Sequence, residues 1–327
     1  MIPLVSVGFP VYNAEGTIGH ALDSILAQEF KDFEIIISDN ASTDDTRMVC
    51  ERYAKKDNRI RYYRNEKNIG VSPNHNRAFG LARGKYFCWI GDDVVFLPGM
   101  LGRCVEVIKQ APPSVALVYA RCDMVDEANL LGGLKHLPIE TRDPRPHKRL
   151  LAVLNRLLMV NQLYGLTVSE TMRKTSLEQS FGSSDYVLLA ELAMLGEIWE
   201  IPETLVRRTI DPARGTAAAH RDRKKWNFWV DPKLAGKRPW LSTRQRLALE
   251  YFRSAWRLPL RPADKLRCMI AGICQPYGRI LMRVTGPSRH WLRNLWGHPA
   301  CDRQEGPAPE TKPVALEMPR QNNKRQH

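Results

Sequence analysis

The sequence is poor in the features that mark disulfide-rich and membrane-spanning proteins. Its seven cysteines form no Cys-x-x-Cys pair and no close group, so no disulfide framework is expected. No run approaches the roughly 18 apolar residues that a spanning helix needs. Met1–Val7 reads directly as a strand rather than a signal peptide. We therefore expect reduced thiols and a cytoplasmic setting.

Three further absences narrow the function. The glycine fingerprint of dinucleotide-binding proteins does not follow the first predicted strand, so a nicotinamide site is not expected. The chain shows no internal repeat. It also carries no recognised nucleic-acid reader motif, so we expect no nucleic acid as a partner.

Acidic residues are scarce in one part of the chain. Residues 1–200 hold 23 basic and 25 acidic residues, whereas residues 201–327 hold 26 basic and 10 acidic ones, so the net charge of +14 arises in the second part. Such a split indicates a polyanionic neighbour for that part, such as a membrane surface or a phosphorylated lipid. The apolar fraction of 43% is that of an ordinary globular core.

Short apolar runs alternate with amphipathic segments through the first 120 residues. This alternation predicts βαβ units and a mostly parallel sheet, in which ligands bind beyond the carboxyl ends of the strands. The predicted strands are 4–9, 33–37, 59–63, 86–90 and 115–119.

Polar residues follow three of these strands. They are Pro10–Asn13, Asp39–Asn40 and Asp92–Asp93, and we expect them to converge on one crevice. The adjacent carboxylates Asp92 and Asp93 stand between apolar runs, where their desolvation is costly unless a positive group meets them. A divalent metal carrying a phosphate is one candidate, and an Arg or Lys partner is the other.

The second half is less regular. Pro202 is predicted to break the strand at 198–206, and residues 209–237 to form mostly loop. Two late helices carry apolar stripes: Leu247, Tyr251 and Ala255 on one, and Leu266, Ile270, Ile273, Tyr277 and Leu281 on the other. These two late helices are predicted at 242–256 and 264–284. Earlier helices are predicted at 14–26, 72–82, 150–163 and 185–195.

Several stretches carry a family resemblance. Residues 5–15 read VSVGFPVYNAE and residues 35–46 read IIISDNASTDDT; the further matches are NEKNIG at 65–70, NHN at 74–76, FGSSDYVLLAELAMLG at 181–196 and the Arg pair at 207–208. Together they resemble the family 2 glycosyltransferases, which bind nucleotide sugars on a GT-A fold. The resemblance covers roughly residues 3–230.

The resemblance implies an α/β fold, with a GT-A-type, Rossmann-like, mostly parallel sheet flanked by helices and a C-terminal helical extension. It implies a catalytic domain over residues 1–235, with a nucleotide-binding half at 1–120 and an acceptor-binding half at 121–235. We expect a basic helical extension over 236–296 and a disordered tail over 297–327.

The resemblance also implies a donor site. In that family the first-strand motif cradles the base and ribose, and a carboxylate after the second strand accepts a hydrogen bond from the base. The matching donor-binding positions are Pro10, Val11, Tyr12, Glu15, Asp39, Asn68, Gly70, Asn74 and Asp92. Each of these residues could instead have a structural role. Tyr12 could pack in a turn, Asp39 could cap a turn, and the residues around Asn68 could stabilise a loop and the start of a helix.

Gly91-Asp92-Asp93 aligns with the family's metal-binding Asp-x-Asp motif. Asp93 would ligate Mn²⁺ or Mg²⁺, and Asp92 would touch the ribose or help hold the metal. Gly91 replaces the first carboxylate of the motif, so the metal's hold is expected to depend on the donor diphosphate. A structural ion pair is the alternative.

Asp185 matches the family's catalytic base, which takes a proton from the acceptor hydroxyl. A helix cap is its alternative role. Whether Arg208 or His220 joins the site stays open: an arginine could neutralise the leaving diphosphate, and a histidine could ligate the metal or touch the diphosphate.

The implied function is inverting sugar transfer from a nucleotide-diphosphate sugar, most simply UDP-linked, to a hydroxyl of a glycan, a lipid-linked acceptor or a cell-surface polysaccharide. A non-catalytic nucleotide-sugar or glycan-binding protein is the alternative from another class. A sugar-1-phosphate nucleotidyltransferase is disfavoured, because Phe9–Asn13 lacks the Gly-rich loop with Arg that it needs. The basic helices would bind an anionic membrane surface at the inner face of the plasma membrane, or simply pack on the catalytic domain.

Overall fold

The computed structural model describes residues 2–125, 138–157, 159–211, 230–234 and 241–284. Strands and helices alternate, as the apolar runs predict. The strands are β1 Val5–Val11, β2 Phe33–Asp39, β3 Ile60–Arg64, β4 Tyr86–Trp89, β5 Val94–Phe96, β6 Val115–Val125, β7 Leu166–Val168 and β8 Glu197–Thr209. The α-helices are α1 Ile18–Leu26, α2 Thr46–Lys56, α3 Val71–Gly80, α4 Met100–Gln110, α5 Pro146–Arg156, α6 Ser169–Arg173, α7 Ser184–Leu195, α8 Thr243–Arg257 and α9 Pro262–Val284.

These strands form a single sheet in the order β3-β2-β1-β4-β7-β6-β8-β5. β1 is parallel to β2 and β4, β2 is parallel to β3, and β6 is parallel to β8. The antiparallel pairs are β4 with β7, β6 with β7, and β5 with β8. The predicted α/β fold with a mostly parallel sheet and helices around it is confirmed.

The antiparallel strands were not predicted. β5 and β7 are three residues each, too short for an alternating pattern to show. The predicted break at Pro202 is wrong, because β8 runs through it. The register between β6 and β8 shifts beside this point, at Ala120 and Arg121, and such an irregularity accommodates a residue without an N–H group.

Two predicted helix bounds are corrected. α1 begins at Ile18 rather than near Ala14, because Asn13 adopts a positive φ of 51° and its side chain accepts a hydrogen bond from the Thr43 N–H instead of capping a helix. α5 ends at Arg156, and a separate 3₁₀ turn covers Asn161–Tyr164.

The core lies on both faces of the sheet. Every residue of β2 is buried, as expected for a strand covered by helices on both sides. α1 buries one face against the sheet, and each Leu or Ile side chain on it contributes roughly 1.5–3 kcal/mol of transfer free energy. That face consists of Ile18, Ala21, Leu22 and Ile25.

The two late helices pack onto the sheet domain. Residues 1–284 form one compact unit, in which α8 contacts α7 and α9 contacts α8 and α5. Tyr251 and Ala255 of the first predicted stripe are buried. The expected tail over 297–327 lies outside the described residues. In the described part of the chain, no helix is both long and apolar enough to cross a bilayer.

A buried carboxylate fastens α8 to α7. Glu191 of α7 is fully buried and accepts hydrogen bonds from Arg257 Nη2 at 2.7 Å and Ser254 Oγ at 2.5 Å on α8. The Ser176 N–H donates to its other oxygen at 2.6 Å. Charged hydrogen bonds of this kind hold the helical extension against the helix that begins beside Asp185.

We expect Glu191→Gln to lower the free energy of unfolding by about 1–3 kcal/mol, because it weakens these charge-assisted bonds inside the protein. Urea unfolding measures the change. Glu203→Gln is the matched control, since Glu203 pairs with Arg103 at the surface with 46% of its side chain exposed, and surface pairs contribute about 0–1 kcal/mol. Equal effects of the two variants would contradict the role of Glu191.

Candidate donor-binding and catalytic site

The three predicted polar clusters meet at the carboxyl edge of the sheet. Val11 stands beside Asp39 in the β1–β2 register, and the Asn40 N–H donates to the Val11 carbonyl at 2.9 Å. The Thr17 hydroxyl donates to the Asp92 carboxylate at 2.7 Å. The loops after β1, β2 and β4 therefore surround one crevice.

Asp39 is held by a ring of donors. Its side chain is fully buried and accepts hydrogen bonds from the Ser42 N–H at 2.8 Å, the Tyr62 hydroxyl at 2.7 Å and Arg64 Nη1 at 2.9 Å. The first of these bonds is the turn-capping contact that the sequence left open. The other two tie the Asp39 side chain to the neighbouring strand β3 and fix its orientation.

The segment after β1 presents one aromatic side chain to solvent. Tyr12 is 43% exposed, whereas Val11 beside it is buried, so the ring of Tyr12 is not a core packing residue. Pro10 lies half-buried within β1. Glu15 is exposed, and its carboxylate accepts a hydrogen bond from the Asp45 N–H at 2.8 Å, which ties this loop to the start of α2.

Asn68, Gly70 and Asn74 form a hydrogen-bonded support beneath the crevice. The Asn68 amide oxygen accepts from the Gly70 N–H at 2.9 Å. The buried Asn74 amide donates to the Ser38 carbonyl at 2.8 Å. Gly70 has a φ of 92°, and a Cβ there would lie 2.6 Å from the Val230 carbonyl oxygen. These contacts are the loop and cap chemistry that the sequence left open.

Asp93 forms an ion pair across two strands. Arg208 of β8 donates from Nε to the Asp93 carboxylate at 2.8 Å. The side chain of Asp93 is 37% exposed and that of Arg208 only 17%. The guanidinium also contacts Asn161 Oδ1 at 3.3 Å and lies 5.9 Å from the centre of the Tyr164 ring. The positive partner that the sequence offered as the alternative to a metal is therefore present.

The donor set at Asp92 and Asp93 fits a hard divalent cation, with a restriction. The described residues hold no group of three or more His, Cys, Asp and Glu side chains that could bind a metal. Two carboxylates leave most positions of Mg²⁺ or Mn²⁺ to water and phosphate oxygens. A side chain at position 91 would meet the Asp93 carboxylate, so Gly91 leaves room for the carboxylate in its present position.

A pocket of about 200 Å³ lies next to this ion pair. α3, β4, β8 and the start of α7 each contribute to its wall. Its polar and aromatic lining includes His75, Trp89, Tyr164, Glu178, Asp185 and Arg208. Arg208 thus stands between the Asp92–Asp93 crevice and the pocket that holds Asp185.

Two carboxyl groups share this pocket. Asp185 lies in the first turn of α7, and Ser183 rather than Asp185 occupies the cap position. The Glu178 backbone is fixed by the Asn76 side chain, which donates to its carbonyl at 2.7 Å and accepts from its N–H at 3.0 Å. The Ser184 hydroxyl donates to the Glu178 carboxylate. Glu178 therefore faces the same space as Asp185 in a fixed position.

Burial raises the pKa of both carboxyl groups, and that of Glu178 more than that of Asp185. Desolvation raises the pKa of Asp185 to about 6, partly offset by the Tyr186 N–H and by the charge of Arg208. Desolvation, and then the negative charge of Asp185, raise the pKa of Glu178 further. A second negative charge beside Asp185 is unfavourable, so of the two groups Asp185 is the one that gives up its proton first.

Sequence reasoning missed Glu178 and Thr17 as parts of the site. Glu178 precedes Asp185 by seven positions, but the Ser- and Gly-rich segment between them is not helical, so this spacing does not predict that the two side chains meet. Arg208, which the sequence left open, lines the pocket. His220, the other open residue, lies outside the described residues.

Solved glycosyltransferases have this fold. The structure is similar to Staphylococcus aureus TarS residues 1–349 in complex with UDP, with a TM-score of 0.58 and 15% identity over 84% of this chain and 72% of that one. It is also similar to the mannosyltransferase PcManGT of Pyrobaculum calidifontis in complex with GDP-Man and Mn²⁺, with a TM-score of 0.51 and 16% identity over 91% and 89%. The fold is that of the GT-A glycosyltransferases.

The sequence comparison gives the family. Residues 6–162 match the profile described as Glycosyl transferase family 2, so this part of the chain is a family 2 glycosyltransferase domain. The chain is 37% identical over 131 residues to a Campylobacter jejuni GalNAc(5)-diNAcBac-PP-undecaprenol beta-1,3-glucosyltransferase, a match that spans 39% of this chain and 41% of that relative's length. It is 28% identical over 222 residues to an uncharacterized glycosyltransferase of Rickettsia prowazekii, spanning 66% and 67%.

Proposed function

We propose that this protein is an inverting glycosyltransferase that moves a sugar from a nucleotide-diphosphate sugar to an acceptor hydroxyl. One observation carries the proposal: the Asp93–Arg208 pair lies between the crevice beside Asp92 and the pocket of Asp185. In this order, a donor diphosphate can lie at the ion pair while an acceptor hydroxyl lies at the Asp185 carboxylate. In this assignment, residues 1–120 bind the donor and 121–235 the acceptor.

The proposed chemistry is a single displacement. Asp185, as the carboxylate, takes the proton of the acceptor hydroxyl as the oxygen attacks the anomeric carbon. Attack from the face opposite the leaving group inverts that carbon, and the nucleoside diphosphate leaves. Arg208 is placed to neutralise the charge that develops on the diphosphate.

A divalent cation, Mn²⁺ or Mg²⁺, would be held by Asp93 with help from Asp92, and when bound would supply positive charge at the leaving diphosphate. Because Arg208 uses one oxygen of Asp93, the two cations compete for this carboxylate or share it. Asp39 and Tyr12 would contact the base, and Asn68, Gly70 and Asn74 would support that contact from below.

The relatives guide the choice of donor and acceptor. TarS was solved with UDP and with UDP-GlcNAc, and the Campylobacter relative's name places its acceptor on an undecaprenol diphosphate lipid. We therefore propose a UDP-linked donor, with a glycan on a lipid carrier as the acceptor and cell-envelope polysaccharide as the product class.

A donor screen tests the proposal. We expect one nucleotide sugar of a UDP and GDP series to raise the melting temperature in the presence of Mn²⁺ and to be slowly hydrolysed by the protein. A donor that binds without hydrolysis or transfer would favour the alternative of a non-catalytic nucleotide-sugar-binding protein. Absence of binding by any donor would contradict both readings.

The pH profile gives a second test. The pKa of Asp185 is raised to about 6. As the pH is lowered, kcat/KM for transfer should therefore begin to fall at a higher pH than it would if the base were a carboxylate with an ordinary pKa. We expect a fall of about tenfold per pH unit below that value, as the base takes up its proton. Initial rates across a pH series measure it. A flat profile down to about pH 5 would contradict Asp185 as the base.

A further inference from the structure

The last helix turns an apolar face away from the protein. On α9, Cys268 and Ala271 are buried. The stripe Leu266, Ile270 and Ile273, at helical spacing of four and three, is 58%, 47% and 43% exposed. A surface helix normally carries polar residues on the side opposite its buried face. α9 is therefore apolar on two sides, and the described part of the chain covers only one of them.

The exposed apolar side chains of the molecule are concentrated in this region. Of the eight large hydrophobic residues that are exposed in the described part of the chain, five lie on α8 and α9. Trp256 near the end of α8 is the most exposed of these five, at 68%. The Lys265 ammonium lies 5.9 Å from its ring and donates to its carbonyl oxygen at 2.7 Å, which joins Trp256 to the start of α9. Such a concentration marks an interaction surface.

The charged residues around this surface indicate what kind of partner binds there. Residues 241–284 contain nine Lys and Arg but only two Asp and Glu. Arg253, Arg261 and Arg267 are exposed on these helices or the turn between them. A second copy of this chain would bring the same excess of positive charge and be repelled. Residues 285–327 also carry more basic than acidic residues. An apolar stripe beside arginines and a tryptophan instead complements an anionic lipid surface.

We propose that α8 and α9 dock on an anionic lipid bilayer, with Leu266, Ile270, Ile273 and Trp256 in the interface and the arginines at the headgroups. The helices lie on the membrane rather than across it. Because Glu191 and Arg257 fasten α8 to α7, the docked helices are fixed to the helix that carries Asp185. This surface is separate from the donor crevice, so lipid binding does not require the proposed sugar transfer.

Co-sedimentation of the full chain with vesicles tests the proposal. We expect binding to phosphatidylcholine vesicles that contain about one-third phosphatidylglycerol, little binding to pure phosphatidylcholine, and weaker binding at high salt. The triple variant Leu266→Ser/Ile270→Ser/Ile273→Ser should bind at least about tenfold more weakly, because it removes the apolar contact. Arg261→Gln should weaken binding by about fivefold.

Met48→Ser is the matched control, because Met48 is 60% exposed on α2, away from this surface, and its loss should leave vesicle binding unchanged. Circular dichroism and the donor-induced thermal shift verify that each variant is folded. The proposal is overturned if the protein does not bind anionic vesicles, or if it binds neutral vesicles equally well. It is also overturned if the triple variant binds anionic vesicles as tightly as the parent. It is also overturned if the parent is a dimer that the triple variant dissociates, since the face would then join two copies.

Discussion

Replacing Asp185 with Asn is expected to slow sugar transfer by at least about 10²-fold while the donor still binds. The amide keeps the size of the side chain but cannot take a proton from the acceptor hydroxyl. General-base assistance contributes about 10²–10⁴-fold, so kcat should fall within that range. Donor affinity, measured by calorimetry with Mn²⁺ present, should stay near that of the parent, because Asp185 lies on the acceptor side of Arg208 in the proposed arrangement.

Glu178→Gln is the matched control for this experiment. Glu178 lines the same pocket and holds its proton more firmly than Asp185, because burial and the charge of Asp185 raise its pKa. Its amide variant should therefore keep transfer within about tenfold of the parent. If Glu178→Gln loses transfer and Asp185→Asn retains it, the base is Glu178. Transfer at the parent rate in Asp185→Asn alone already refutes the assignment of Asp185.

The second large effect is expected at Asp93. Asp93→Asn removes the charge that would hold the cation, so the dependence of donor binding on Mn²⁺ should disappear. Donor hydrolysis and transfer should fall by at least about 10²-fold, as when a group that stabilises transition-state charge is lost. Thermal shift with donor, measured with and without Mn²⁺, separates the loss of metal binding from a general loss of donor binding.

Asp123→Asn is the control for Asp93. Asp123 of β6 pairs with Arg207 at 3.2 Å, so its variant breaks the neighbouring ion pair without touching the proposed metal ligand. It should leave the Mn²⁺ dependence intact. If Asp93→Asn keeps that dependence, Asp93 serves only as the partner of Arg208, which is the alternative that the sequence left open.

The fold was largely predictable because its signals are local. The buried run at β2 and the amphipathic pattern of α1 each appear within a window of about ten residues. The polar clusters at Asp39 and Asp92 could be placed at one edge, because parallel strands bring their carboxyl ends together. The short antiparallel strand β7 could not be predicted, since three residues with no alternation give no pattern to read.

The sequence by itself determined that this is an α/β protein whose polar clusters gather at the carboxyl edge of a mostly parallel sheet, since the spacing of apolar residues dictates which faces are buried. The tertiary structure alone decided what meets those clusters. Arg208 reaches Asp93 from 115 residues away, and a turn brings Glu178 to the pocket of Asp185. The tertiary structure also determines that the Leu266–Ile273 stripe faces outward. Helical periodicity identifies an apolar face but does not specify what covers it.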